Sequence, residues 1–252
     1  MNTELIKAHL NLYAIIKNLE DLIKYDKESA EMAKNWNITL QFKVKNGPQA
    51  YISFQNGQCM VGRGKAKKAH CKLYFFSPEH LNKMFDGSGT PMILKGFTKI
   101  GFLLNDFGKI TDRLEYYLKP TDELLNNDEY LAINTRLTMN TAAFSIPELG
   151  ALDSIAHHPA SHIRNGTILM KVADEGPSVH ISFEDGTITS HIGDFEKPTA
   201  QLAFKDTKTA NDFLNGKSDT FTAVATGDVL IKGQTGMLDA VSLILDRIPL
   251  YT

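Results

Sequence analysis

The densest group of side chains able to do chemistry is His157-His158-Pro159-Ala160-Ser161-His162, with Asp153 four residues ahead of the first imidazole. Imidazoles ligate metals or carry protons near neutral pH, and a carboxylate can orient them. A helical metal pair, however, uses an i, i+4 spacing on an unbroken turn. Here a proline separates His157 from His162, and no cysteine or carboxylate cluster completes a site. A solvated connecting segment is expected, with no metal and no catalytic residue. Cys59 and Cys71 are the only two thiols. Even if they approached across neighbouring strands, they would make at most half a zinc site. Gly62-Arg63-Gly64-Lys65, followed by Lys67 and Lys68, superficially looks like a phosphate loop but lacks its spacing and the Ser or Thr after the lysine. It reads as a solvated hairpin end, with contact to a lipid headgroup or an anionic membrane as its functional alternative. No cofactor is implied, and an enzyme is not expected.

The elements that would position these residues occur twice. Residues 46–57 read NGPQAYISFQNG and residues 175–186 read EGPSVHISFEDG. The same offset pairs Gly64 with Gly193, Lys68 with Lys197, Leu73 and Phe75 with Leu202 and Phe204, Asn82 with Asn211, and Gly87 with Gly216. Over the 41 positions from 47 to 87, 12 are identical. A repeat unit of this length is a domain rather than a solenoid turn, so the chain reads as a tandem duplication. The boundary is expected at Lys119-Pro120-Thr121-Asp122, giving domains 1–120 and 121–252. A chain of 252 residues accommodates two such cores.

Composition narrows the class. A formal net charge of -2 provides no whole-protein field for nucleic acid. Two cysteines suit a reducing compartment, and no apolar run approaches a membrane span. A soluble, cytoplasmic protein is expected.

Leu5, Ala8, Leu12, Ile15, Ile16, Leu19, Leu22 and Ile23 predict one buried helical face, with Lys7, Asn11, Lys17, Asn18 and Lys24 on the wet side. Leu40, Phe42 and Val44, then Ala50, Ile52 and Phe54, alternate with polar residues around Asn46-Gly47-Pro48 and Asn56-Gly57, which predicts antiparallel hairpins. A short helix follows in each copy, capped by Ser77-Pro78 in one and by Asp206 in the other. Two different cap residues at one repeat position argue against a catalytic Ser77. Each half then turns apolar and glycine-punctuated (92–104; 221–233), with the repeat offset slipping by about two residues, and closes on a helix (110–118; 237–248). Residues 130–161 stand to the second sheet as 5–35 stand to the first. This order is α+β, with helices on one face of a sheet.

The unit resembles the sterol carrier protein type 2 family of lipid-binding domains. The resemblance lies in ISFQNG and ISFEDG, the Leu-x-Phe strands at Leu73 and Leu202, the helices ending FDG and LNG, and a Gly-rich apolar hairpin at LKGF and ATGDVLIKG. It implies two sterol-carrier-like domains, each a mostly antiparallel five-stranded sheet covered by helices on one face. An apolar tunnel between the layers would hold a fatty acyl chain or other lipid. Carried over by type, the lining in the first copy is Ile52, Phe54, Leu73, Phe75, Met84, Phe85, Phe97 and Phe102. In the second it is Ile181, Phe183, Leu202, Phe204, Phe213, Leu214, Leu230 and Met237. The expected activity is non-enzymatic binding or transport of an apolar small molecule, with transient membrane-surface contact and no nucleic acid. The alternative is an interaction scaffold whose cavities have filled in, with Phe75, Phe76 and Phe102 plugging the first copy.

Overall fold

The computed structural model describes residues 3–173, 175–218 and 220–251. The chain separates into two compact units on either side of the Lys119–Pro120 bond.

The first unit opens with a helix that changes pitch without leaving the right-handed region. It runs as α1 (Thr3–Leu10), a wider turn at Asn11–Ile15, a tighter one at Ile16–Asn18, and α2 (Leu19–Tyr25). Of the expected apolar stripe, Ala8, Leu12, Ile16, Leu19, Leu22 and Ile23 are buried, while Leu5 and Ile15 are half-buried. Asn11 and Asn18 depart from the expectation, because both are buried rather than wet. Asn11 donates to Asn82 Oδ1 at 3.1 Å, so a side chain assigned to the polar face is an internal strut. Asp26 leaves the helical region and caps α3 (Lys27–Ala33) by accepting from the Ser29 amide at 3.0 Å.

Five strands follow: β1 (Asn37–Val44), β2 (Gln49–Gln55), β3 (Gln58–Arg63), β4 (Cys71–Phe75) and β5 (Met92–Lys95), with α4 (Pro78–Phe85) between the last two. Their order in the sheet is β3-β2-β1-β4-β5. The β2–β3 turn uses Asn56 and Gly57 at φ of 50° and 75°, the pairing a two-residue turn demands of consecutive left-handed residues. The sheet is mixed, since β4 returns beside β1 in parallel while the other neighbours are antiparallel. Local turn signals disclose antiparallel pairs only; the parallel pair is made by a crossover. α5 (Phe107–Leu118) closes the unit.

The second unit repeats this plan. α6 (Asp128–Leu152) and α7 (Ser154–His162) lead into β6 (Asn165–Val172), β7 (Ser178–Glu184), β8 (Thr187–Ile192) and β9 (Ala200–Phe204). Then come α8 (Thr207–Leu214), α9 (Thr220–Ala225), β10 (Val229–Gly233) and α10 (Thr235–Leu245), in a sheet ordered β10-β9-β6-β7-β8. Leu40 pairs with Ile52 as Ile168 pairs with Ile181, so the register itself is duplicated. The Ser77 and Asp206 caps appear as expected, accepting from His80 and Thr209 amides at 3.1 and 2.7 Å. Among the described residues no helix is long and apolar enough to cross a membrane.

Two expectations about the later part of each unit change. The apolar segments are not hairpins, since the first holds β5 followed by helical turns and the second holds α9 followed by β10. The repeat slip is also larger than about two residues. Ile93 lies opposite Leu73 and Ile231 lies opposite Leu202, and the extra length in the second copy includes α9. Structural register realigns Lys95-Gly96 with Lys232-Gly233. Both glycines have positive φ, 89° and 82°. A Cβ on Gly96 would lie 2.8 Å from the His70 carbonyl, and one on Gly233 would overlap the equivalent carbonyl of Thr199. The edge strand therefore leaves the sheet where only a glycine fits.

Gly233→Ala should destabilise the protein by at least the roughly 1–3 kcal/mol that a strained left-handed residue costs. Gly236→Ala, in open space nearby, should leave the urea midpoint within experimental error. Equal midpoints for the two variants would contradict this account.

Candidate functional site

Alternation along the strands presents one apolar face of each sheet to the helices. In the first unit that face carries Ile52, Phe54, Leu73 and Phe75, all buried. Phe42 and Phe75 stack in parallel at 6.3 Å near one end. Near the other, Trp36 meets Phe54 edge-on at 5.0 Å and Phe102 at 4.7 Å, while Phe107 approaches Phe54 at 6.2 Å. Trp36, Phe102 and Phe107 are only half-buried, so this aromatic group runs from the core to the surface. Met84 and Phe85 on α4 are half-buried, and Phe97 is exposed. Trp36 and Phe107 are absent from the sequence-derived lining. Neither lies on a strand alternation or in the repeated motif, and Trp36 has Arg164 at its structural counterpart in the second copy.

The second unit is closed more tightly. Ile181, Phe183, Leu202, Phe204 and Met237 are buried, Phe213 and Leu214 are half-buried, and Leu230 is exposed. Phe204 and Phe213 lie 5.2 Å apart. The Met237 thioether fills the space over Gly166, where an added Cβ would come within 2.8 Å of Met237 Cε. Phe76, expected as a plug in the first copy, is 58% exposed and stacks on His80, so it cannot fill the interior.

An open cleft of about 570 Å³ lies elsewhere in the first unit, bordered by Leu5, His9, Lys43, Lys45 and Tyr74 near the β1–β2 turn. None of the expected lining residues borders it.

Each unit is locked by a buried carboxylate: Asp26, which the sequence does not single out, and Asp153, which it marks only as a neighbour of the histidines. Asp26 accepts from Arg113 Nε at 3.1 Å and from the Tyr117 hydroxyl at 3.0 Å, besides capping α3. Asp153 accepts from Arg247 Nε and the Tyr251 hydroxyl, both at 2.8 Å, while capping α7 through the amides of Ile155 and Ala156. In both copies an Asp-Arg dipeptide with tyrosine four residues on from the arginine (Asp112-Arg113, Tyr117; Asp246-Arg247, Tyr251) marks the motif in the sequence. It lies outside the ungapped repeat because of the insertion before it. Burial pushes the Asp26 carboxyl up, but hydrogen bonds from Arg113 and Ser29 more than offset this and hold it below the ordinary carboxylate value. Asp153 is held low in the same way against its own burial, by Arg247, Tyr251 and two amides. Burial and the adjacent carboxylate raise both tyrosines.

The remaining chemical candidates are placed as follows. The histidine segment is helical rather than a connecting loop, with Pro159 inside α7. Asp153 caps this helix, and its N-terminal hydrogen bonds start the turn before the proline. His158 and His162 are consequently i, i+4, with ring centroids 4.6 Å apart, and His157 Nδ1 lies 2.8 Å from the Gly150 carbonyl oxygen. Among the described residues no group of three or more His, Cys, Asp or Glu could hold a metal ion. Cys59 and Cys71 do not approach each other, because β2 and β1 separate their strands. Three strand spacings amount to roughly 14 Å. Burial raises both thiols.

The fold and site define a tandem of α+β units, each a five-stranded mixed sheet with an apolar face under helices. Residues 16–100 match the family described as the SCP-2 sterol transfer family. The resemblance read from the sequence therefore holds for the first unit. Solved structures similar to part of the chain include the UbiJ-SCP2 ubiquinone synthesis protein, 10% identical over 44% of this chain and 93% of its own, with a TM-score of 0.34. A conserved protein of Thermus thermophilus, described as possibly a sterol carrier protein, is 17% identical over 42% of this chain and 82% of its own, with a TM-score of 0.33. The sterol carrier protein domain 2 of Helicoverpa armigera is 17% identical over 44% and 87%, with a TM-score of 0.32. No curated protein matches the chain.

Because Asp26 and Asp153 have folded-state pKa values below their unfolded ones, their contribution is present above the unfolded pKa of about 3.9 and is lost as pH falls through the folded values. The melting temperature should hold near pH 6 and drop below about pH 4. Asp26→Asn should cost about 2–3 kcal/mol in urea unfolding, a partly solvated version of a broken buried pair. With Asp153→Asn added, the acid limb should flatten. An unchanged acid limb in the double variant would count against the carboxylate locks.

Proposed function

We propose that the chain is a non-enzymatic cytoplasmic carrier that binds and transfers an apolar ligand, a fatty acid, fatty acyl group or other lipid, between sheet and helices. The observation that carries this reading is the half-buried aromatic group of Trp36, Phe102 and Phe107 leading onto Phe54, inside the unit that matches the SCP-2 sterol transfer family. Ile52, Leu73, Phe75, Met84, Phe85 and Phe97 are the further contacts proposed for this unit.

The energetics suit transfer. Burying a methylene is worth about 0.8 kcal/mol, so a long acyl chain gains on the order of 10 kcal/mol over water before ordering costs. A bilayer offers that chain a similar gain. A carrier of this kind exchanges its ligand with membranes near parity, and no step requires a nucleophile or a proton relay.

A second reading is favoured by the other unit. Ile181, Phe183, Phe204 and Met237 are all buried, and Met237 occupies the space over Gly166. In this reading the second unit is a filled structural partner and the first alone binds ligand. The same residues, with Leu202, Phe213, Leu214 and Leu230, are the lining if the second unit also binds.

The protein has a single tryptophan, Trp36, which reports on the first unit alone. Native mass spectrometry of freshly purified protein should show copurified acyl lipid, and a dansyl-labelled fatty acid should quench Trp36 by energy transfer. Phe102→Ser should weaken that quenching several-fold. Protein that purifies empty and neither binds nor is quenched by the fatty acid would sink the carrier reading.

A further inference from the structure

Between Glu31 and Glu79 the chain contains no Asp or Glu, yet it carries Lys34, Lys43, Lys45, Arg63, Lys65, Lys67, Lys68 and Lys72. That stretch contains β1 to β4 of a protein whose net charge is -2. The corresponding part of the second unit holds acids in the same turns, among them Glu184, Asp185, Asp194 and Glu196. Positive charge is thus concentrated on one sheet of the tandem.

The register sets where this charge lies. Gln41 is level with Lys72 and Lys43 with Tyr74 in the parallel β1–β4 ladder, so these four share the face opposite the buried Phe42 and Leu73. Across β4, Tyr74 is opposite Met92 and Lys72 opposite Lys95. The β3–β4 connection is strapped over the same face. Gln41 is buried there, donating to the Gly64 carbonyl at 3.0 Å and accepting from the Ala66 amide at 2.7 Å. Ala66 and Ala69 are pressed inward while Lys65, Lys67 and Lys68 are exposed. Among the described residues, no carboxylate pairs with any of those three, or with Lys43, Lys45 or Lys72. In the second unit Lys171, the counterpart of Lys43, pairs with Asp194 at 3.6 Å.

Unpartnered apolar side chains border this basic face. Met92 and Leu94 on β5 are about half exposed, at 48% and 47%. Just after Gly96, where an added Cβ would lie 2.8 Å from the His70 carbonyl oxygen at the end of the strap, Phe97 is 65% exposed.

We propose that the first unit docks on anionic lipid bilayers through this basic face, with its lysines against headgroups and Met92 and Leu94 in the acyl boundary. Nucleic acid would satisfy the lysines but leave the aliphatic side chains without a partner, since single strands are held by aromatic stacking. An anionic bilayer takes both, adding apolar burial to an attraction of about 1 kcal/mol per nearby lysine. Docking does not require a ligand inside either unit, so it and the carrier reading can fail separately.

The test is cosedimentation of the full chain with phosphatidylcholine vesicles, with and without an equal share of phosphatidylglycerol. Binding should appear on the anionic vesicles and weaken with salt. Lys65→Gln/Lys67→Gln/Lys68→Gln should weaken it at least tenfold, consistent with three surface lysines. Met92→Ser/Leu94→Ser should remove the part that survives high salt. Lys205→Gln/Lys208→Gln in the second unit should change nothing. All substituted positions are exposed, and matching melting temperatures would confirm intact folds. Failure of wild-type protein to prefer anionic vesicles, wild-type binding by the triple variant, or tighter binding to duplex DNA than to vesicles would each overturn the proposal.

Discussion

A buried carboxylate joins the start and the end of each unit. Asp26 begins α3 and at the same time holds Arg113 and Tyr117 of α5, which lies across the whole sheet in sequence. Asp153 does the same for α7 with Arg247 and Tyr251. A desolvated charge is tolerated because both oxygens of each carboxylate accept hydrogen bonds. Asp153 accepts from two amides on one oxygen and from guanidinium and hydroxyl on the other, and Asp26 from the Ser29 amide and hydroxyl, Arg113 and Tyr117. With the two ends tied, the sheet between them is covered by helices whose positions are not free. The asparagines Asn82 and Asn211 add a second tie, to Glu4 and Asn11 in one copy and to Asn134 and Thr135 in the other.

Within that common frame the two copies have diverged in their surfaces and mouths. The first has half-buried aromatics at one end of its inner face and a carboxylate-free outer face. The second has Phe183, Phe204 and Met237 buried inside and mixed charge outside. Duplication explains the shared register, and the glycine exits at Gly96 and Gly233 show how strictly it was retained. Apart from the insertion that carries α9, divergence falls on side chains that the frame does not require.

Much of this was legible in the residues. The strand pairs around Asn56-Gly57 and Asp185-Gly186, the caps at Ser77 and Asp206, and the α+β order all follow from local chemistry and short-range periodicity. The parallel β1–β4 contact did not, because nothing local distinguishes a strand that returns beside β1 from one that extends the meander. The length of the second-copy insertion was misjudged for a related reason. Apolar residues at 221–224 resemble those at 92–94, and only pairing with β9 shows that β10 is the true counterpart.

By itself, the sequence determined that there are two copies. From neighbours two to four positions away it also determined which residues face inward along β1, β2 and β4 and where the chain turns, though not along β10, where Leu230 is exposed. Tertiary structure decided that Asn11 and Gln41 are buried, that Asp26 meets Arg113, that Trp36 joins Phe102, and that the lysines of β1, the strap and β4 form one face. Those arrangements depend on groups far apart in the chain reaching one another's hydrogen-bonding and packing distance, and that information resides in the crossover and the register rather than in any local run of residues.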